Sequence, residues 1–222
     1  MTNINLLCIE LIVCLITLSI LFIKYKYEGI YTYSIIAFIL SSLMSLKIIS
    51  IYNFDINLGI ILSTSVFIAS NIIVQKKGYE EVKKLILFVV ISNVIAFTCL
   101  YLTSKMNSSN INLFTNKSFD NIFEGSERVY FANIVTMLYI LIFNSKLYYY
   151  LKRMKNKIWI SNLFSGIIIQ FMAACIFPII AYAFIKEPIE IVKLIIIRYM
   201  VSLITIITGT IIIYITNKIK ID

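Results

Sequence analysis

Residues 158–185 read IWISNLFSGIIIQFMAACIFPIIAYAFI, twenty-eight positions without one charged side chain. Crossing about 30 Å of hydrocarbon takes about 20 mostly apolar residues at a rise of about 1.5 Å each. This stretch is therefore long enough to span a bilayer with tilt or a kink, and Pro178 interrupts its backbone ladder. Lipid offers the backbone no hydrogen-bond partner, which leaves only helices and closed barrels. Barrel strands alternate apolar and polar side chains, whereas this stretch is apolar on every side. It predicts a transmembrane helix.

Outward from it, six further stretches qualify or come close: Ile4–Ile23, Ile30–Leu46, Ile56–Val74, Leu85–Leu102, Val129–Leu147 and Ile189–Thr216. The predicted fold is an all-α integral membrane protein, a bundle of six to seven transmembrane helices forming one domain over residues 1–222. Composition agrees: 60% of the 222 residues are hydrophobic and 14% charged, against about 25% charged in soluble domains. Ile4–Ile23 has no basic residues before it and no small-residue cleavage site after it, so it reads as a retained first span rather than a signal peptide.

Lys and Arg collect in cytoplasmic loops. With seven spans and the N-terminus outside, thirteen basic residues face inward: Lys24, Lys26, Lys76, Lys77, Lys83, Lys84, Lys146, Lys152, Arg153, Lys155, Lys157, Lys218 and Lys220. Six face outward: Lys47, Lys105, Lys117, Arg128, Lys186 and Lys193. This bias predicts N-out, C-in. It also accounts for most of the +9 formal charge without a nucleic-acid partner. The expected surroundings are the lipid of the cell membrane. The stretch 103–127, rich in Ser and Asn with Asp120, Glu124 and Glu127 toward its end, reads as an external loop too short to be a domain. Function must then lie inside the bundle.

The chain has no His, which excludes His-based triads and metal sites, and no cofactor motif is present. Cys8, Cys14, Cys99 and Cys175 all fall in apolar spans without paired spacing and read as small hydrophobes. No metal site, catalytic residue or enzyme activity is expected. Aromatic residues at Tyr25, Tyr27, Tyr31, Tyr33, Tyr148, Tyr149, Tyr150 and Trp159 bracket the spans as interfacial anchors.

Polar groups at membrane depth are the remaining signal. Glu10 and Arg198 are ionisable side chains within spans, where a central charge costs about 2.5–3.5 kcal/mol. Each either faces a cavity or a partner, or reaches for an interface. Asn71 and Gln75, four residues apart, share a helix face, and Asn93, Asn133, Asn162 and Gln170 are also embedded. Amides carry donors and acceptors, so they either tie helices together or pair with the edge of a planar heterocycle.

Three motifs belong together. Asn71-Ile-Ile-Val-Gln75-Lys-Lys-Gly78-Tyr-Glu-Glu-Val-Lys-Lys84 resembles the D-I-I-x-E-x-Y-G-K-K-x-A-x-K signature of the queuosine-precursor transporters, also called the vitamin uptake transporter family. Arg128-Val-Tyr-Phe-Ala132-Asn133 is similar to that family's R-x-x-x-A-S helix start. Trp159-Ile-Ser-Asn162-Leu-Phe-Ser165, followed by Gln170 and Phe177, resembles W-L-R-N-N-L-S-T-x-x-x-Q-L-I-D-T-x-I-F. The family-like region runs over about residues 46–216. The resemblance implies import of a small-molecule substrate, a 7-deazaguanine base such as queuine, with a site near Asn71, Gln75, Asn162, Gln170 and Arg198. Where the family has acids, this chain has Asn71, Gln75 and Ala173, and none of these can titrate. A non-transporting relative, a substrate-binding subunit with an ATPase-module partner, and a homo-oligomer stay open.

Overall fold

The computed structural model describes residues 2–51, 54–107, 113–123, 125–155 and 157–219; Glu124 and Lys220 lie outside the described residues. The chain is an all-α membrane protein. Its helices are α1 (Asn3–Met44), α2 (Ile60–Lys77), α3 (Tyr79–Ser104), α4 (Leu113–Phe123), α5 (Glu127–Lys155), α6 (Ile158–Tyr182) and α7 (Pro188–Lys218). A short antiparallel hairpin, β1 (Ile48–Ile51) and β2 (Phe54–Asn57), joins α1 to α2. Among the described residues, α1, α3, α5, α6 and α7 are long and apolar enough to cross a membrane.

Helix α1 is not straight. At Lys26 the backbone takes φ 54° and ψ −126°, and the two halves fold back on each other. Gly29 lies directly against the Leu21 backbone, a contact eight residues apart that no continuous helix allows. The first two expected spans are thus the two arms of one helical hairpin. Asn3 donates to the Ser50 carbonyl (3.2 Å), so the N-terminus returns to the hairpin end of the bundle.

The β-hairpin departs from the purely helical expectation. Residues 48–57 hold β-branched side chains in alternation with Ser50, Asp55 and Asn57, a pattern of period two that cannot bury one helix face. Ser50 and Asp55 face each other across the ladder, joined by a 2.5 Å hydrogen bond. Helix α2 accordingly begins at Ile60, not Ile56. Its start needs Gly59, at φ 89° and packed on the Ser41 backbone, where any side chain would collide.

Helix α2 is the central post. Every residue from Ile60 to Val74 is buried, which explains why polar Ser63, Thr64, Ser65, Ser70 and Asn71 carry no amphipathic pattern. Around it pack both arms of α1, then α3, α5 and α7; α6 lies in the groove between α5 and α7. Serine hydroxyls on α2 return to the preceding turn, as Ser63 to Ile60 and Ser70 to Phe67. Tyr33 on α1 donates to Ser65 at 2.6 Å, and Asn93 on α3 donates to Ser42 at 3.1 Å, so Asn93 ties helices rather than facing a cavity.

Two ends emerge. The hairpin, α4 and the starts of α2, α5 and α7 gather at one. The Lys26 bend and the ends of α2, α5 and α7 gather at the other, where Lys77 sits 3.9 Å over the Tyr27 ring. The expected loop 103–127 contains α4, whose Phe119 and Phe123 rings pack together at 4.9 Å. Helix α6 stops at Tyr182, three residues short of the expected Ile185, because Phe184 turns to φ 67°. Arg128 Nε donates to the Ile180 carbonyl at 2.7 Å, pinning the end of α6 to the start of α5.

Candidate functional site

The polar side chains inside the bundle fall into two layers. The layer nearer the Lys26 end is a chain of amides. Asn144 on α5 donates to Asn71 Oδ1 at 2.7 Å, and Asn71 donates to Asn162 Oδ1 on α6 at 2.8 Å. Asn162 in turn donates to Thr210 Oγ1 on α7 at 2.7 Å. Asn144 also reaches Ser70 Oγ at 3.3 Å. Four helices meet here through side chains that are all buried. Asn144 Oδ1 has no hydrogen-bond partner among the described residues, leaving one unused acceptor in the layer.

One turn further along α2, Gln75 closes the mouth at this end. Its Oε1 accepts from the Tyr148 hydroxyl (3.1 Å) and its Nε2 donates to Asn217 Oδ1 (3.3 Å). Lys152 donates to the Gln75 carbonyl at 2.7 Å, and Lys76 to the Asn217 and Ile219 carbonyls at 2.9 Å. These cations occupy helix C-termini, where unpaired carbonyls favour positive charge. Tyr148 is fully buried here. It is a core hydrogen-bond donor, not the interfacial anchor its Tyr148-Tyr149-Tyr150 run implies.

The second layer lies nearer the β-hairpin. Asn57 on β2 donates to the Tyr182 hydroxyl (2.5 Å) and to the Ser45 carbonyl (3.0 Å). Ser45 reaches Asn133 Oδ1 on α5 at 3.5 Å. Arg198 on α7 is buried, its guanidinium 4.1 Å above the Phe177 ring of α6. Twelve residues of α7 separate Arg198 from Thr210, about 18 Å along the axis. Arg198 therefore belongs to a different layer from Asn71 and Asn162. Gln170 sits between the layers on the inner face of α6, with its Nε2 unpartnered among the described residues.

Between the layers the bundle is closed by apolar side chains, including Phe67, Ile169 and Ile206. At the β-hairpin end a cavity of about 590 Å³ opens among Leu46, Lys47, Asn121, Ser126, Val129 and Tyr182. Tyr182 belongs both to this cavity and to the second layer.

Of the five residues predicted for the site, the structure brings Asn71 and Asn162 into direct contact and puts Gln75 at the adjoining mouth. Gln170 and Arg198 stand deeper toward the β-hairpin end. Ala173, where the family motif has an acid, is buried on the same α6 face as Gln170 and Phe177. Asn144, Thr210, Asn57 and Tyr182 were not predicted. Asn144 had a signal: Asn133, Met137, Ile140, Asn144 and Tyr148 repeat at helical spacing, marking one inward face. Tyr182 had none, because a Tyr near a span end reads as an anchor. Glu10, on the first arm of α1, is part-buried, and its Oε1 has no hydrogen-bond partner among the described residues.

No curated protein and no solved structure matches the chain. Residues 57–216 match the family described as "Putative vitamin uptake transporter". That range covers the side chains of both polar layers from Asn57 to Thr210, Ser45 excepted, and leaves out the whole of α1. With most of its length matched, the chain belongs to the vitamin uptake transporter family.

Proposed function

We propose that this protein is a plasma-membrane permease that imports a 7-deazaguanine base, or a related small planar heterocycle, across seven helical crossings with the N-terminus outside. The observation that carries the reading is the amide chain Asn144–Asn71–Asn162–Thr210. A guanine-like edge presents neighbouring N–H donors and a carbonyl acceptor. Amides bonded to one another can exchange those bonds for bonds to such an edge at little net cost, since the hydrogen-bond count is conserved.

Neither Asn71 nor Gln75 can carry a proton, so transport through this layer is facilitated rather than proton-coupled at these positions. The 590 Å³ cavity at the β-hairpin end is the entry vestibule in this reading, and Gln75, Tyr148 and Lys152 form the inner gate. The test is uptake of radiolabelled 7-deazaguanine bases, queuine included, into vesicles holding the purified protein. Saturable uptake that does not change with an imposed pH gradient supports the reading; no uptake of any such base with confirmed insertion overturns it.

One observation favours a second reading. The same amides, bonded to one another across four helices, are what a set of helix ties looks like. A non-transporting relative, or a substrate-binding subunit serving an ATPase module, would show this arrangement. Constant co-purification with a second protein together with no uptake would select it.

A further inference from the structure

The second polar layer has an unbalanced chemistry. Arg198 is 6% exposed, yet its Nη1 has no hydrogen-bond partner among the described residues. The described ion pairs all join surface lysines to Glu80, Glu81 or Glu190, and none includes Arg198. Gln170 and Asn133, each 3% exposed, leave Nε2 and Nδ2 unpartnered as well. These three are nitrogen donors, and Thr136 Oγ1, one turn from Asn133 on α5, is an unpartnered hydroxyl that can also donate. A buried donor without an acceptor forfeits the full desolvation cost of that group, and a buried cation without a counter-charge forfeits more.

Asn133 and the Arg198 guanidinium stand at nearly one depth, and Gln170 stands one to two turns nearer the amide layer. Arg128 on Ile180 sets the antiparallel register of α5 against α6, which brings Asn133 to the level just before Phe177. Gly166 beside Ile206 sets α6 against α7, which brings Gln170 to the level of Ser202, one turn from Arg198. Asn162 bonded to Thr210 fits the same register. The guanidinium lies against the Phe177 ring, an aromatic surface on which a planar ligand can also pack. Tyr182, 6.2 Å from the Phe177 ring, connects this layer to the 590 Å³ cavity.

We propose that Arg198, Gln170 and Asn133 form an anion site in the β-hairpin half of the bundle, which takes the carboxylate of a planar heterocyclic acid. This rests on the importer reading and narrows it: the preferred substrates are acids, and neutral or cationic rings of the same shape bind less well. The carboxylate supplies the acceptors that three donors lack and neutralises the one buried charge of the layer, while the ring packs beside Phe177. Arg suits the task because its guanidinium is planar, always charged and able to bind a carboxylate through two parallel bonds.

The test uses the full chain in lipid nanodiscs and two pairs of near-isosteric ligands: 7-carboxy-7-deazaguanine against its 7-carboxamide, and nicotinate against nicotinamide. The expected result is an acid that binds at least about ten-fold tighter than its amide, the size of a charge-assisted hydrogen bond. In Arg198→Gln that preference falls below about two-fold, and in Gln170→Leu the acid weakens more than the amide. Arg198→Lys keeps part of the preference. Equal binding of acid and amide, an acid preference that survives Arg198→Gln, or no binding of either acid overturns the proposal. Ligand-free melting supplies a readout for a merely structural arginine. If Arg198 is held for a ligand, Arg198→Met melts no lower than the wild type; if it melts lower, the proposal falls. Nicotinate discrimination that depends on Arg198, without binding of either deazaguanine, keeps the anion site and removes the deazaguanine reading. Binding of both deazaguanines without acid preference does the reverse.

Discussion

Asn71 illustrates how one side chain serves structure and chemistry together. Its amide accepts from Asn144 and donates to Asn162, using opposite ends of the same group. Leucine is close in size but can do neither. Asn71→Leu would strand a donor on Asn144 and an acceptor on Asn162, at a cost of about 1–2 kcal/mol in a membrane bundle. The prediction is a modest fall in melting temperature with normal membrane insertion, and loss of uptake to background in vesicles. Uptake at wild-type rates would remove Asn71 from the substrate path. Lys26 makes a separate point. A non-glycine residue at φ 54° and ψ −126° stores about 1–3 kcal/mol of backbone strain. Lys26→Gly should raise the melting temperature in detergent by several degrees; a lower value would show that the lysine side chain contributes more than the bend costs.

At the scale of elements, the α1 hairpin depends on close approach. A methyl group at Gly29 would collide with the Leu21 backbone, which cannot swing aside as a side-chain tip can. Gly29→Ala should therefore part the two arms and destabilise the protein by about 1–3 kcal/mol, read as a lower melting temperature. At Gly166 a new methyl would meet the Ile206 side chain, Cδ1 at 2.8 Å and Cγ2 at 3.0 Å, rather than backbone, so Gly166→Ala should cost less. Hydropathy located most of these elements to within a few residues. It fell short at Ile56, where period-two alternation made a strand, and in 103–127, where α4 forms. Helix α4 shows Phe119, Ile122 and Phe123 at helical spacing, but eleven residues among many Ser and Asn are a weak signal. The three-residue overrun of α6 came from reading apolarity where the backbone had already turned at Phe184.

For the whole molecule, alternation of the helices and the spread of basic residues make one statement about orientation. Lys76, Lys77 and Lys152 gather at the Lys26 end, and Lys47 and Lys186 at the β-hairpin end. The expected outcome is that Met106→Cys, in a background with Cys8, Cys14, Cys99 and Cys175 changed to Ala, reacts with a membrane-impermeant maleimide on intact cells. Met154→Cys should react only after the membrane is opened. Both side chains are exposed, so reversal of the pattern would invert the topology rather than report burial. Hydropathy and charge placement are properties of single stretches, and they settled by themselves that this chain is a helical membrane protein. Pairing is a property of registers between stretches. Asn71 meets Asn162 across 91 positions and Asn57 meets Tyr182 across 125. No periodicity within one helix encodes which neighbour it will face or at what height. Only the packed bundle could therefore divide the predicted residues into an amide layer bonded to itself, with one spare acceptor on Asn144, and an arginine layer with unpartnered donors.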